Sequence, residues 1–195
     1  MNITIEQPHH APAIEQLLDQ SFGNNRNGKT VYRLREDVAP VSGLSLVALD
    51  GDRLEGTIRF WPVRIGALVP SLLLGPIAVA AHRRSEGLGA TLIRQGVNRA
   101  VACGWRSVLL VGDAPYYNRF GFTRDLTLNL SLPGPVDLDR FLGLELVEGA
   151  LQNVSGMVGR WPAEPAPTLP AVLGGQSKSK GPLSAFAGWS LNAPA

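Results

Sequence analysis

Residues 74–93 read LGPIAVAAHRRSEGLGATLI, and their character changes twice along the stretch. An apolar run gives way to Arg83 and Arg84, and then Gly87 and Gly89 open a pattern with helical period. Backbone N–H groups at the start of a helix are unpaired and carry the positive end of the helix dipole, so they bind anions. Glycine lacks a Cβ, which lets a ligand approach the backbone closely. The stretch therefore predicts a strand, a turn that holds a phosphate or diphosphate, and a helix.

Two better-known phosphate loops do not fit this turn. A P-loop needs Gly-Lys-Ser/Thr, whereas Ala90 and Thr91 follow the second glycine here. A dinucleotide-binding fingerprint needs a third glycine where Leu92 stands and an acid about 20 residues further on, and neither is present. The residues alone also allow a plainer interpretation, in which the glycines only make a tight strand-to-helix turn.

The surrounding chain alternates strand and helix patterns. Alternating or wholly apolar runs predict strands at 3–7, 44–50, 54–65, 71–80, 106–112, 121–132 and 141–147, with the last of these closing the sheet. Helical spacing predicts helices at 11–22 and from Gly87 to Gly104, with short helices within 31–38 and 113–120. Pro76 interrupts the apolar strand 71–80, so we expect a bulge near Gly75–Pro76 that splays this strand from its neighbour. The order of elements predicts an α/β (α+β) fold with a mixed, mostly antiparallel sheet of about seven strands.

Composition excludes several classes of function. The 195 residues suit a single domain, expected at 1–160, followed by a Pro/Ala/Gly/Ser-rich tail at 161–195 that is flexible or docks on the domain. The formal net charge of +2 is too small to predict nucleic-acid binding. No apolar run is long enough to span a membrane, and the N-terminus does not resemble a signal peptide. The lone Cys103, which we expect to pack, forms no intrachain disulfide, so the expected location is cytoplasmic.

The chain resembles the GCN5-related N-acetyltransferase (GNAT) family. The stretch 74–93 is similar to the family's acyl-CoA-binding motif, and VLLVGDAPYYNRFGF (108–122) is similar to the family's next strand, short helix with a tyrosine, and Gly-Phe. The likeness covers Leu54 to about Leu132, and FLGLELVEGAL (141–151) resembles the YhbS-like subgroup of small bacterial members.

The resemblance implies the ligand and its place. Acetyl-CoA would be the acyl donor, with pantetheine bonded like an added strand along β-structure at Ile77, Ala78 and Val79. The diphosphate would lie on the turn and first helical residues, which are Arg83, Arg84, Ser85, Glu86, Gly87, Leu88, Gly89 and Ala90. Where typical members have glycine and a basic residue, this chain has Ser85 and Glu86. These two residues would weaken CoA binding unless Glu86 points away, and Arg83 would compensate.

The resemblance also assigns the chemistry. Tyr117, four residues before Gly121, occupies the position of the family's tyrosine that protonates the departing CoA sulfur. Tyr116 is more simply explained by core packing. Asp113 and Glu145 are the acids that could serve as a general base, although structural roles explain both more simply. No His, Cys and acid grouping has metal-ligand spacing, so no metal is expected.

Three functions remain open at this point. The first is an N-acetyltransferase that passes an acetyl group to a primary amine by direct attack in a ternary complex. The second is a non-catalytic acyl-CoA-binding or regulatory module, and the third is an acyltransferase with a longer acyl-CoA or acyl carrier protein donor, whose channel LSAFAGW (183–189) would line. The acceptor is expected near the loops 23–30 and 133–140, and homodimerisation is common in the family.

Overall fold

The computed structural model describes residues 1–23, 26 and 30–161. Its strands are β1 (Asn2–Ile5), β2 (Leu46–Asp50), β3 (Arg53–Ile65), β4 (Val69–Val79), β5 (Ser107–Val111), β6 (Leu130–Ser131), β7 (Phe141–Glu145) and β8 (Gly156–Arg160). Its helices are α1 (Ala11–Phe22), α2 (Thr30–Arg33), α3 (Leu88–Ala102) and α4 (Ala114–Tyr117). Within the described ranges, no helix combines the length and apolar character that crossing a membrane requires.

The strands form one mixed sheet in the order β1-β2-β3-β4-β5-β7. Neighbours are antiparallel except β4 and β5, which are parallel because α3 carries the chain across between them. The far end of β3 also pairs with β8, which in turn pairs with β6. This arrangement confirms the predicted fold class, with eight strands where the sequence predicted about seven.

Helices cover both faces of the sheet. Successive side chains of a strand point to opposite faces, and β2 shows the division. Leu46 and Ala48 join the core beneath α3, whereas Val47 joins the cluster formed by the buried face of α1. The apolar alternation of β2 thus fixes which helix lies on which face.

The central strand β4 bends at the predicted bulge. Ile58 of β3 pairs with Ile77 and Phe60 pairs with Leu74, so Gly75 and Pro76 together oppose one residue of β3. Beyond the bulge β4 leaves β5: the two strands are in register only at Leu72↔Val108 and Leu73↔Leu109. The expected splay is therefore confirmed, and it leaves a gap between the free lengths of the two strands.

The closed end of this gap is fixed by two buried serines. The Ser107 hydroxyl donates to the Ser71 hydroxyl at 2.8 Å, and the Ser71 hydroxyl donates to the Ser107 carbonyl at 3.2 Å. Because both side chains are buried, these bonds are shielded from water.

Three expectations from the sequence were wrong. Residues 121–132 do not form one strand: they contain a bridge at Thr123, a 3₁₀ turn at Asp125–Thr127 and only the short β6. The reason is that the Thr127 hydroxyl donates to the Phe141 carbonyl at 2.6 Å, which replaces backbone pairing with β7. β7 is not the last strand, because β8 follows it. Cys103 is exposed at the end of α3, where packing against the sheet has already ended. The tail prediction for 161–195 falls outside the described residues beyond Trp161.

Candidate active site

The turn between β4 and α3 presents a row of backbone N–H groups. Ser85 and Gly87 have positive φ, 69° and 78°, and this winds the chain tightly into the first turn of α3. Among the described residues, no protein group accepts a hydrogen bond from the amides of residues 85–90. At the N-terminus of a 15-residue helix, such amides form an anion site.

The two arginines of this turn have different surroundings. Arg83 contacts the Asp50 carboxylate, and its Nη1 lies 3.4 Å from the Glu86 carboxylate. Arg84 is exposed and forms no ion pair within the described part of the chain. Arg84 is therefore available to an anion on the turn, whereas Arg83 and Glu86 balance each other's charge.

A buried carboxylate holds the turn to the sheet. The Glu55 side chain is fully buried, with His82 Nε2 at 2.9 Å and Arg53 beside it, and its backbone carbonyl accepts the Ala80 N–H at 2.8 Å. Burial alone would raise the pKa of this carboxyl, but hydrogen bonds from Arg53 and His82 outweigh burial and hold the pKa below its ordinary value. Glu55 is therefore charged at neutral pH and ties the turn to β3.

The free edge of β4 leads from this turn into the gap. In an antiparallel ladder, successive residues direct their backbone groups to opposite sides. Because the Ala80 N–H bonds to β3, Ala78 also faces β3, and the backbone groups of Ile77 and Val79 face the gap. Of the three residues predicted to bind pantetheine, two are thus free to pair with an extended ligand.

Gly89 borders the same space. A Cβ at this position would lie 3.0 Å from the Tyr116 hydroxyl, 3.6 Å from Val79 Cγ2 and 3.9 Å from Ile77 Cδ1. Arg119 stacks on the Tyr116 ring at 4.2 Å and fixes its orientation. The absence of a side chain at Gly89 therefore lets α3 pack closely against the Tyr116 hydroxyl and the side chains of Val79 and Ile77. Leu88 and Ala90, on either side of Gly89, bury their side chains in the core.

A cavity of about 530 Å³ lies between the diverging strands, and Ile77 at the free edge of β4 lines it. Its walls are the bulge of β4, the end of β5, α2 and the segment 135–140. The Thr30 hydroxyl donates to the Pro135 carbonyl at 2.7 Å, so Thr30, at the end of one segment expected to meet the acceptor, contacts the other segment at this cavity. Residues 24, 25 and 27–29 of the first segment lie outside the described residues.

Tyr117 lies in the wall of the cavity. Its ring packs against Gly112, where a Cβ would lie 2.3 Å from Cε2, and meets Phe122 edge-on at 5.9 Å. Burial, reinforced by the neighbouring Tyr116, raises the pKa of the phenol to about 12, although Arg140 acts in the opposite direction. The hydroxyl therefore stays protonated at neutral pH and is a hydrogen-bond donor to the cavity.

The two acids considered as bases differ in position. The Glu145 carboxylate accepts the Gly149 N–H at 2.8 Å and the Leu151 N–H at 2.7 Å, which fixes the turn after β7. Asp113 lies in the cavity wall at the end of β5. In the part of the chain that the structure describes, no cluster of His, Cys, Asp or Glu is arranged to hold a metal ion.

Among the cavity residues that sequence analysis did not assign to the site, Arg35 carries a charge. It follows α2, and its guanidinium lies 4.7 Å from the Trp61 ring and close to Gly75. The segment 31–38 carries several charges with no motif, so its sequence contains no signal that singles out Arg35.

Known proteins share the sequence pattern and the fold of this chain. A family model described as an acetyltransferase (GNAT) domain matches residues 6–124. The N-acetyltransferase YhbS of Escherichia coli K12 is 33% identical over 160 residues, which cover 81% of this chain and 95% of that protein. The crystal structure of E. coli YhbS in complex with CoA matches with a TM-score of 0.72 and 31% identity, covering 82% of this chain and 89% of that one. A GNAT family acetyltransferase from Brucella melitensis in complex with acetyl-CoA matches with a TM-score of 0.62 and 30% identity, covering 83% of this chain and 96% of that one.

Proposed function

The chain belongs to the GNAT family of N-acetyltransferases, and from this membership we propose that it transfers an acetyl group from acetyl-CoA to a primary amine by direct attack in a ternary complex. One observation carries the proposal. The unpaired amides of residues 85–90 follow the free edge of β4 along the chain, and Ile77 at that edge lines the same cavity as Tyr117. The relatives crystallised with CoA and acetyl-CoA support the same donor.

The donor would extend from the turn into the cavity. The diphosphate accepts hydrogen bonds from the turn amides and from Arg84, since both are unpaired in the described chain. Pantetheine runs past Gly89 and pairs with the backbone of Val79 and Ile77 as an added strand. The thioester then lies at the end of the cavity that Tyr117 lines.

The reaction needs little from the protein beyond position and one hydrogen bond. The lone pair of the neutral amine attacks the thioester carbon, and a C–N bond forms. The Ile77 N–H, which faces the gap two residues before Val79 and lies in the cavity wall, polarises the carbonyl in the manner of an oxyanion hole. As the C–S bond breaks, Tyr117 gives its proton to the sulfur, and the proton released by the amine nitrogen restores the phenol through solvent. The products are an amide and free CoA thiol.

Thiol release tests the proposal directly. With acetyl-CoA and a panel of primary amines, Tyr117→Phe should lower kcat by about 10²–10⁴ and leave the KM for acetyl-CoA nearly unchanged. Tyr116→Phe is the comparison, because that hydroxyl adjoins Gly89 and should affect the KM for acetyl-CoA rather than kcat. Unchanged turnover in Tyr117→Phe would remove Tyr117 from its role.

Two further outcomes separate the alternatives. Calorimetric binding of CoA without turnover of any amine would support the non-catalytic module. Faster transfer from octanoyl-CoA than from acetyl-CoA would support a longer acyl donor, for which the cavity between the strands would hold the chain.

A further inference from the structure

Arg35 presents its guanidinium at the wall of the cavity. Leu34, which is buried in the core, fixes the chain beside it. The guanidinium carbon lies 4.8 Å from the Tyr32 ring and 4.7 Å from the Trp61 ring, so the group is held between two aromatic side chains. Its Nη2 would lie 3.3 Å from a Cβ on Gly75, at the bulge of β4. These contacts fix the guanidinium beside the bulge.

No described carboxylate neutralises this charge. The Nε atom of Arg35 is buried and has no hydrogen-bond partner within the described residues. Burial lowers the pKa of the guanidinium to about 10; Tyr32 opposes this shift, whereas Arg26 and Arg59 add to it. Arg35 is therefore a charged, desolvated group without an acidic partner in the described chain.

Arg26 and Arg59, the two arginines near Arg35, both have acidic partners. Arg26 forms ion pairs with Glu15 at 2.6 Å and Asp19 at 2.9 Å. Arg59 forms ion pairs with Glu6 at 2.7 Å and Glu15 at 3.1 Å. A charge taken out of water is costly unless a partner of opposite charge is supplied. Since Arg35 lies against the cavity, a ligand can supply that partner.

Arg35 lies close to the proposed position of the thioester. Gly75 lies two residues before Ile77, across the bulge of β4, so the two residues are at most about 7 Å apart along the chain. A bound carboxylate would lie about 3 Å from the guanidinium, and this leaves the length of a few bonds between it and a thioester near Ile77. Asp113 lies in the opposite wall of the cavity, at the end of β5. The segment 135–140 adds Asp137 and Arg140 to the same lining. The cavity thus offers positive and negative groups, which complement a molecule carrying both a carboxylate and an amine, and of these Arg35 lies beside the bulge of β4.

We propose that Arg35 binds a carboxylate of the acceptor, so that the acceptor is a small molecule carrying both a primary amine and a carboxylate. This inference rests on the proposed acetyl transfer and names its substrate class. An acyl donor with a terminal carboxylate could present the same group, and the experiment separates the two sources.

Matched pairs of amines test the inference. Each pair differs only in the carboxylate: L-phenylalanine and phenethylamine, L-lysine and cadaverine, β-alanine and ethylamine. In at least one pair, the wild-type enzyme with acetyl-CoA should show a kcat/KM at least tenfold higher for the carboxylate member. Arg35→Gln should abolish that preference by lowering only the carboxylate member, and Arg35→Lys should keep part of it. Arg99→Gln, which changes an exposed arginine of α3, should behave as wild type.

The opposite results would overturn the inference. Equal rates within every pair, or an equal effect of Arg35→Gln on both members, would show that Arg35 does not bind an acceptor carboxylate. A preference for succinyl-CoA over acetyl-CoA with phenethylamine, lost in Arg35→Gln, would assign the carboxylate to the donor instead. Circular dichroism identifies a variant that fails to fold, in which case Arg35→Lys decides.

A binding measurement keeps the inference separate from the proposed function. If no amine releases thiol, calorimetry on the CoA-saturated protein compares N-acetyl-L-phenylalanine with its N-methylamide. Binding of the carboxylate alone, lost in Arg35→Gln, would support the site while the acetyl transfer fails. Equal binding, or binding of neither, would overturn the site.

Discussion

Gly89→Ala should separate the stability of the protein from its affinity for CoA. Gly89 is the second residue of α3 and has no positive φ, so alanine fits its backbone and gains up to about 1 kcal/mol in helix propensity. The new methyl would lie 3.0 Å from the Tyr116 hydroxyl, which must shift by a few tenths of an ångström. These effects oppose each other, so the free energy of unfolding should change by less than about 1 kcal/mol.

The same substitution should weaken CoA binding by much more than it changes the free energy of unfolding. The added methyl would lie between α3 and the free edge of β4, where the proposed path of the donor passes from the diphosphate to pantetheine. Displacing the diphosphate from two amides loses two hydrogen bonds to a charged group, together about 3 kcal/mol or more. This corresponds to an increase of about a hundredfold in the Kd for CoA.

Gly87→Ala is the matched control from the same turn. Its Cβ would meet nothing within 4 Å, but its φ of 78° is strained for alanine. Gly87→Ala should lower the free energy of unfolding by about 1–2 kcal/mol. Its Kd for CoA should rise less than that of Gly89→Ala. Urea unfolding and calorimetry measure the two quantities. A folded Gly89→Ala protein with a Kd for CoA within threefold of wild type would refute the placement of the ligand between α3 and the free edge of β4.

Four further predictions concern the turn, the tyrosine and the buried acid. Ser85→Gly removes a side chain from a φ of 69° and should tighten CoA binding in calorimetry while changing unfolding stability by at most about 1 kcal/mol, because glycine's entropy offsets the relieved strain. Gly112→Ala places a methyl 2.3 Å from Tyr117 Cε2, so steady-state kinetics should show a lower kcat at a similar KM for acetyl-CoA. Because the Tyr117 pKa is about 12, kcat/KM should rise as the amine loses its proton and show no decline up to about pH 10; a decline near pH 8 would contradict Tyr117 as the acid. The lowered pKa of Glu55 contributes stability that is full above its ordinary pKa and is lost as pH falls through the folded value. Glu55→Gln should therefore be less stable than wild type at pH 7, with the difference vanishing in strong acid; a constant difference would contradict this linkage.

The parts of the site that local chemistry dictates were predictable from sequence. A proline inside an apolar strand predicts a bulge, and the register confirms it at Gly75–Pro76. A Gly-x-Gly before a helical pattern predicts a turn with exposed amides, and Gly87 has the positive φ that such a turn needs. Both inferences depend on the backbone preferences of single residues, which act wherever the residue lies.

The parts that depend on tertiary partners were not predictable. The alternation in DLTLNL predicts a strand, but Thr127 bonds the Phe141 carbonyl with its side chain and the local backbone turns instead. Arg83 and Arg84 are adjacent and alike in sequence, and it is the ion pairs of Arg83 with Asp50, at the end of β2, and with Glu86 that separate their roles. Arg35 gains its significance from Gly75 and Trp61, neither of which lies near it in the chain.

The contact between Ser71 and Ser107 is the point from which the free lengths of β4 and β5 diverge. The two halves of the sheet meet in register at only two residue pairs, next to Ser71 and Ser107. β4 extends from Leu73 to Val79 beyond this point and across the bulge, a length of at most about 20 Å at about 3.3 Å per residue. A tilt of only about 3° about this point moves the far end of such a length by about 1 Å, roughly the difference between admitting and excluding one methylene. A small change in packing around the two hydroxyls would therefore produce a larger displacement at Val79. Residues at the closed end of the gap thus influence its width at the open end.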